Sequence, residues 1–133
     1  MLDTTRNVEF AFSKLIVRDL ERAAAFYQAV CEYRDAYTLE ADMAGRPIRE
    51  TILSRPGGGA ELVLLTYLDG SHPSPDGAVT AFNTKDLDAF QARVLNAGGT
   101  VVEPVSALSL NDVTMRLAFF ADPEGFLLEV MER

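Results

Sequence analysis

Cysteine and histidine, on which many catalytic and metal sites depend, each occur only once in this sequence. The single Cys31 excludes an internal disulfide framework and a cysteine-based zinc site within one chain. The single histidine, His72, excludes every metal site that takes two histidines from one chain, and it is the only histidine available as the base of a Ser-His-Asp or Cys-His site. Because His72 lies among turn-forming residues, in 69–77, we expect it to be an exposed loop residue.

Basic residues and long apolar runs are also scarce. Twelve lysines and arginines stand against 20 aspartates and glutamates, which gives a formal net charge of −8. This balance argues against a nucleic-acid partner, because phosphate binding is driven by Lys and Arg displacing counterions. Apolar runs such as 62–65 are far shorter than the roughly 20 residues of a membrane helix. No basic segment followed by an apolar one opens the chain, so we expect no membrane partner and a cytoplasmic location.

The length and composition fit one globular domain. The chain has 133 residues, of which 48% are hydrophobic and 24% are charged, and a chain of this length has room for one hydrophobic core. We therefore predict a single domain that spans residues 1–133.

An internal repeat organises the sequence. Residues 12–20 (FSKLIVRDL) can be aligned with residues 79–87 (VTAFNTKDL) at an offset of 67. Both segments are rich in β-branched or aromatic residues, as strands are, and both end in a basic residue followed by Asp-Leu. Such a duplication predicts two copies of one supersecondary unit, which are too short to fold separately and should pack together.

Each copy predicts one helix and four strands. The helical patterns begin after Asp19 and Asp86, whose side chains suit N-caps, and Gly98-Gly99 suits the end of the second helix. Hairpins are predicted around the turns at 55–59 and 122–125. The predicted flanking strands are 48–54 and 61–67 in the first copy and 115–120 and 126–131 in the second. Further short strands are expected near 37–42 and 100–104, which gives βαβββ twice.

These features together resemble the vicinal oxygen chelate superfamily, the glyoxalase, bleomycin-resistance and extradiol-dioxygenase group. The resemblance rests on residues 15–22 at the start of the first helix, Phe26-Tyr27 within it, the second Asp-Leu start, and residues 122–129 (DPEGFLLE). It implies an α+β fold in which two βαβββ modules, about 8–69 and 77–133, form a curved mixed sheet around a cleft. It also implies a homodimer whose clefts are often built from both chains.

The resemblance also locates the positions at which metal-dependent members of the superfamily carry metal ligands. Counting back seven residues from the helix-opening aspartates gives Phe12 and Val79 for the first strands, and neither side chain has a donor atom. The last-strand positions are matched by Glu61 and Glu129. We therefore expect no tightly held metal, although two carboxylates leave open a weakly bound divalent ion.

Strand alternation then defines a predicted cleft. If Phe12 faces inward, then so do Lys14 on the same strand, Asn83 on its counterpart and Tyr67 on the strand of Glu61. The predicted ligand-binding residues are Phe12, Lys14, Tyr67, Val79 and Asn83. The predicted catalytic residues are Glu61 and Glu129, as general acid or base. Two alternatives stay open, namely that the glutamates form structural ion pairs with Lys14 or an arginine, and that the aromatic residues only pack.

Three functions are consistent with this pattern. The first is binding of a small organic molecule in an apolar cleft, as bleomycin-resistance-like members sequester a drug without chemistry. The second is a glyoxalase-like lyase or isomerase that uses Glu61 and Glu129 as acid and base or as weak metal ligands. The third is an interaction module whose cleft is filled by Phe12 and its neighbours.

Overall fold

The computed structural model describes Thr5 and residues 7–133, apart from the side chain of Leu110. Residues 1–4 and 6 of the predicted domain lie outside this described part. In chain order the elements are β1 (Ser13–Ile16), α1 (Leu20–Cys31), β2 (Asp35–Met43), β3 (Arg46–Ser54), β4 (Ala60–Tyr67), a short 3-10 helix (Pro75–Gly77), β5 (Val79–Thr84), α2 (Leu87–Asn96), β6 (Thr100–Leu110), β7 (Val113–Ala121) and β8 (Leu127–Glu132). No helix in the described part of the chain is long and apolar enough to cross a membrane.

The strands form two four-stranded mixed sheets with the same topology. The strand order is β1-β4-β3-β2 in the first sheet and β5-β8-β7-β6 in the second. In each sheet the strand that precedes the helix pairs in parallel with the last strand of its module, and the other pairs are antiparallel. The predicted α+β fold of two βαβββ modules is therefore confirmed. Its strands are divided between two hydrogen-bonded sheets.

Both predicted helix starts are confirmed. The Asp19 carboxylate accepts a hydrogen bond from the Arg22 amide at 3.1 Å, and the Asp86 carboxylate accepts one from Ala89 at 3.0 Å. In each case the aspartate keeps an extended backbone and satisfies an amide of the first turn that has no partner within the helix.

The end of α2 is also where the sequence places it. The Gly99 amide donates to the Val94 carbonyl at 2.9 Å and so closes the last turn. A Cβ atom at Gly99 would lie 2.7 Å from the Ala121 carbonyl oxygen, so the chain passes too close to β7 for any larger residue.

One strand is much longer than expected. β6 continues to Leu110 and does not stop near Pro104. Its pairing with β7 shifts in register between Val101 and Glu103 and again between Glu103 and Ser106. Because proline has no amide hydrogen for the ladder, the irregular pairing around Pro104 lets the strand continue past it.

A hydrophobic core joins the two modules through their helices. Its buried side chains come from α1, α2 and the helix-facing sides of both sheets. Four aromatic rings run through it in contact from one module to the next, with centroid separations of 5.7–6.5 Å: Tyr27, Phe82, Phe90 and Phe120.

Polar contacts fix the turn between β7 and β8 against α1. The predicted turn is confirmed by a hydrogen bond of 3.0 Å from the Gly125 amide to the Asp122 carbonyl. The buried Asp122 carboxylate accepts a hydrogen bond from the Tyr27 hydroxyl at 2.7 Å. The Glu124 carboxylate accepts hydrogen bonds from the Arg18 and Asp19 amides at 2.7 and 2.8 Å. The second module therefore anchors the start of the first helix.

The sheet faces turned away from the helices, called the inner faces below, differ between the modules. On the first sheet, Ile48, Val63 and Leu65 are fully or almost fully buried. On the second sheet, the residues of β7 and β8 that alternate with the helix-facing ones are only half-buried. These half-buried residues include Leu117, Phe119, Leu127, Glu129 and Met131. The second inner face is therefore the more open of the two.

Candidate functional site

A partly buried ion pair stands on the inner face of the first sheet. The Lys14 ammonium lies 3.0 and 3.3 Å from the two carboxylate oxygens of Glu50. The Glu50 side chain is 10% exposed and that of Lys14 is 32% exposed. Lys14 is in register with Val63, and Glu50 is in register with Leu65, so apolar side chains surround the ion pair.

Glu50 is a residue that sequence reasoning missed. Its signal is the segment 48–52, in which a glutamate stands between Ile48 and Ile52 on the side of the strand where the other residues are apolar. A charge at such a position requires a partner, and Lys14 supplies it from two strands away in the sheet.

Tyr67 lies further along the same inner face and is covered by an arginine. The Arg46 guanidinium carbon is 3.4 Å from the centroid of the Tyr67 ring. The same guanidinium donates to the Ser71 hydroxyl at 2.6 Å. The structure therefore places the predicted residues Lys14 and Tyr67 on one face, with Tyr67 in a cation–π contact.

The predicted residues of the second module lie along its more open inner face. Val79 is 58% exposed at the start of β5, and Asn83 is exposed near the end of the same strand. Glu129 of β8 lies between Ala81 and Phe119 in register. Among the described residues, no hydrogen-bond or ion-pair partner is found for the Glu129 carboxylate. Phe12, immediately before β1, is 40% exposed.

Glu61 does not follow the alternation that the sequence suggests. Leu53 pairs with Leu62 and Ser54 pairs with Ala60, so Glu61 is the extra residue of a β-bulge in β4. A bulge redirects the side chain of its extra residue. The Glu61 carboxylate accepts a hydrogen bond from the Tyr33 hydroxyl at 2.9 Å and lies 2.6 Å from the Arg55 Nε atom.

The bulge also separates Glu61 from the position equivalent to Glu129. Val63 is paired with Lys14, as Glu129 is paired with Ala81, the counterpart of Lys14 at the offset of 67. Glu61 and Glu129 therefore occupy different places in their sheets, and the sequence-based match of the two is wrong in register. The catalytic role of either residue stays a prediction.

Glu61 and Asn83 instead line a cavity at the junction of the modules. The cavity has a volume of about 730 Å³, within the usual range for sites that bind small molecules. Its apolar wall includes Val30, Phe82 and Phe90. Its polar lining consists of Glu32, Tyr33, Arg55, Glu61, Asn83, Thr84, Lys85, Asp86 and Arg93, together with Cys31.

Burial controls the ionisation of two groups in this lining. Burial raises the pKa of the Tyr33 hydroxyl, and its hydrogen bond to Glu61 raises it further. Burial likewise raises the pKa of the Cys31 thiol, which keeps it protonated and unreactive at neutral pH. Tyr33 therefore acts in the cavity as a hydrogen-bond donor.

The described residues offer no clustered metal donors. No group of three or more His, Cys, Asp or Glu side chains lies close enough within Thr5 and residues 7–133 to hold a metal ion. His72 lies in an exposed loop, as predicted, with its Nδ1 atom 3.4 Å from the Pro73 carbonyl oxygen.

The family of the chain follows from a comparison of its sequence with protein-family models. Residues 8–130 match the model described as the Glyoxalase/Bleomycin resistance protein/Dioxygenase superfamily. The chain belongs to this superfamily. The match covers both modules, and it agrees with the resemblance inferred from the duplicated motifs. A comparison with curated proteins gave no match.

Solved structures of the superfamily show the same fold. A glyoxalase family protein from Bacillus cereus is 18% identical, with a TM-score of 0.72, and the alignment covers 99% of this chain and 98% of that one. A glyoxalase/bleomycin resistance protein from Albidiferax ferrireducens T118 is 23% identical, with a TM-score of 0.66 and coverage of 93% and 98%. Glyoxalase I from Zea mays is 16% identical, with a TM-score of 0.68, and the alignment covers 92% of this chain and 43% of that protein.

Proposed function

We propose that this superfamily member binds a small organic molecule in a cleft between its inner sheet faces, without a tightly held metal. The observation that carries the proposal is the Lys14–Glu50 ion pair on the inner face of the first sheet. A mostly apolar surface with a few converging polar groups is the usual composition of a small-molecule site.

The ion pair is better explained by ligand binding than by stability. Removing two charges from water costs free energy that their attraction often does not recover, and apolar replacements of similar volume are frequently neutral or stabilising. The fold therefore does not require an ion pair among Ile48, Val63 and Leu65, which leaves the pair free to bind a ligand. The partly exposed Lys14 ammonium can orient a polar group of the ligand, while Glu50 holds the ammonium in place.

The metal-free part of the proposal rests on the chemistry of the ligand positions. Three of the four places that carry ligands in metal-dependent relatives correspond here to Phe12, Val63 and Val79, which have no donor atoms. Glu129 is the one carboxylate at such a place, and a single carboxylate would hold a divalent ion only weakly.

We further propose that the cleft is completed in a homodimer. Half-buried apolar side chains cover the second inner face, and Val79 at its edge is 58% exposed. Contiguous exposed apolar surface of this kind marks interaction sites. On the first inner face the apolar Ile48, Val63 and Leu65 are already buried and Lys14 is the partly exposed group, so the second face gains most from a partner.

A second function is favoured by one observation, the absence of a partner for Glu129 among the described residues. A half-buried carboxylate that is not neutralised by a cation is available for proton transfer. A lyase or isomerase that uses Glu129 as its base would lose turnover in Glu129→Gln, whereas a protein that only sequesters its ligand would keep most of its affinity.

The ion pair gives the sharpest test of ligand binding. Lys14→Met alone should lower the free energy of unfolding by about 2 kcal/mol, because it leaves Glu50 buried without a counter-charge. The double variant Lys14→Met/Glu50→Leu should be at least as stable as the wild type. It should nevertheless lose the rise in melting temperature that the wild type shows with a binding compound.

The screen that supplies this compound uses 2-oxo-aldehyde adducts and cationic aromatic drugs, followed by thermal unfolding. The matched control is Arg49→Met/Glu21→Leu, which removes an exposed ion pair elsewhere in the first module. If the Lys14/Glu50 double variant keeps the full shift, the inner face of the first sheet is not the site. Stoichiometric nickel, zinc or iron retained through dialysis against EDTA would contradict the metal-free proposal.

A further inference from the structure

One side of the cavity, next to the start of α2, has a counterpart next to the start of α1. There a side chain of the protein itself fills the equivalent place. At the offset of 67, the turn 55–58 (RPGG) corresponds to the turn 122–125 (DPEG). Both turns are closed by the same hydrogen bond, from Gly58 to Arg55 at 2.9 Å and from Gly125 to Asp122 at 3.0 Å. The two turns therefore occupy equivalent places in the duplicated fold, but their backbones differ at the third residue, where Gly57 is left-handed with a φ of 72° and Glu124 is not.

The turns differ at the residue that reaches toward the neighbouring helix. The Glu124 carboxylate accepts hydrogen bonds from the backbone amides of Arg18 and Asp19 at 2.7 and 2.8 Å. The counterpart of Glu124 is Gly57, which has no side chain. The counterparts of Arg18 and Asp19 are Lys85 and Asp86, which line the cavity instead of contacting a carboxylate.

The equivalent backbone amides of the second module, those of Lys85 and Asp86, have no carboxylate acceptor among the described residues. The Asp86 amide has only a 3.2 Å contact with the Thr84 hydroxyl, and no acceptor for the Lys85 amide is found in the described part of the chain. Other groups there already have partners, since the Leu87 amide donates to Glu132 and the Asp86 carboxylate accepts from Ala89. The place that Glu124 fills in one module is thus open in the other.

The charges around the open place also differ. The turn beside α1 carries two acids, Asp122 and Glu124, whereas the turn beside α2 carries Arg55 and no acid. Lys85 and Arg93 add two more cations to the cavity lining. The acids of the lining are Glu32, Glu61 and Asp86, and Glu61 is paired with Arg55. The lining is therefore balanced in charge, although the whole chain carries −8.

We propose that this cavity binds small organic acids, whose carboxylate takes the place that Glu124 occupies in the other module. The carboxylate accepts hydrogen bonds from the Lys85 and Asp86 amides, as Glu124 does from Arg18 and Asp19, and the Asp86 amide leaves Thr84. An apolar body of the ligand packs against Phe82 and Phe90. The cavity adjoins the inner-face cleft at Ala81 and Asn83 of β5. The proposed place of the carboxylate, at the Lys85 and Asp86 amides, lies outside that cleft, so the proposal does not depend on ligand binding in the cleft.

The test is a titration at pH 7 with benzoate, monitored by the backbone amide resonances of the ¹⁵N-labelled full chain. Benzamide, which has the same shape without the charge, is the matched control compound. Benzoate should shift the Lys85 and Asp86 amides saturably and leave those of Arg18 and Asp19 in place, because Glu124 already occupies that site. Benzamide should bind at least tenfold more weakly.

A pair of variants checks the location of the carboxylate. Gly57→Glu adds a carboxylate to the turn beside the cavity, and Gly57→Gln adds the same bulk without the charge. Both carry the same strain from the left-handed backbone at this residue, where φ is 72°. Gly57→Glu should weaken benzoate binding at least tenfold relative to Gly57→Gln, because it adds a negative charge beside the place of the benzoate carboxylate.

Three results would overturn the proposal. One is equal binding of benzoate and benzamide. Another is equal affinity for benzoate in the two Gly57 variants. The third is a benzoate response confined to the inner-face amides, such as those of Lys14 and Val63, which would assign the anion to the cleft of the proposed function.

Discussion

At the scale of single residues, the most consequential contacts join groups that are distant in sequence. Asp122 is 4% exposed and satisfies its carboxylate with the Tyr27 hydroxyl and with the amides of Glu124 and Phe126. Burial raises the pKa of the Tyr27 hydroxyl, and the nearby Asp122 carboxylate raises it further, so Tyr27 remains the donor. One side chain therefore holds a turn of the second module against a helix of the first.

Removal of this donor should be measurable. Tyr27→Phe deletes only the hydroxyl and leaves one oxygen of a buried carboxylate without its partner, so it should lower the free energy of unfolding by about 1–3 kcal/mol. Urea denaturation at pH 7 measures the difference. Tyr37→Phe removes the hydroxyl of a side chain that is 66% exposed and should change stability little. Equal effects of the two variants would show that the buried hydrogen bond contributes nothing.

At the scale of elements, the two helices begin alike but are anchored differently. Asp19 and Asp86 cap them in the same way, which the duplicated Asp-Leu predicts. The start of α1 is held by Glu124 from the other module, whereas the Leu87 amide of α2 is held by Glu132 from its own sheet, at 2.9 Å. The sequence of each segment predicts its aspartate N-cap. It does not predict which distant glutamate will accept hydrogen bonds from the amides at the start of each helix.

The anchor of α2 should depend on pH. The hydrogen bond from the Leu87 amide, aided by Arg116, lowers the pKa of Glu132 below its ordinary value of 4.5. A carboxyl group with a lowered folded-state pKa adds stability above its unfolded value, and this contribution is lost as the pH falls through the folded value. The stability difference between the wild type and Glu132→Gln should thus be constant above about pH 6 and shrink below about pH 4.5.

Urea denaturation at pH 7 and at pH 3 measures this difference. Glu40→Gln, at an exposed position of β2, is the control and should show a smaller dependence on pH. A Glu132→Gln effect that stays the same at both pH values would rule out the carboxylate as the source of the stabilisation.

At the scale of the whole molecule, the two modules share one core but present unlike inner faces. The first face buries its apolar side chains and leaves Lys14 of its ion pair partly exposed, whereas the second leaves apolar side chains half-buried. The duplication predicts equivalent modules, but the side chains of their two inner faces are buried to different extents. The proposed homodimer is the arrangement that would cover the open face.

The oligomeric state tests this arrangement. The wild type should sediment with about twice the chain mass of 14.6 kDa. Val79→Lys places a charge at the edge of the open face and should weaken association at least tenfold, with little change in the fold because Val79 is 58% exposed. Leu95→Lys, at a 51% exposed position on α2, is the matched control and should leave association unchanged. A monomeric wild type would refute the homodimer.

The sequence alone determined the two modules, the helix caps, the hairpin turns and the apolar alternation of the strands. These features depend on the local periodicity of helices and strands and on the residue preferences of caps and turns, which neighbouring residues express directly. Only the tertiary structure decided that Glu61 leaves the cleft, because one extra residue in β4 shifts the register and turns its side chain toward Tyr33.

The tertiary structure also decided the partners of the charged groups. Lys14 meets Glu50 across 36 residues and Arg18 meets Glu124 across 106, and no local pattern encodes such separations. Burial makes the stability of the fold depend on these contacts, because a polar group removed from water requires a hydrogen bond within the protein. The sequence thus specified which elements form, while packing between them decided which polar groups meet and which place was left open beside Gly57.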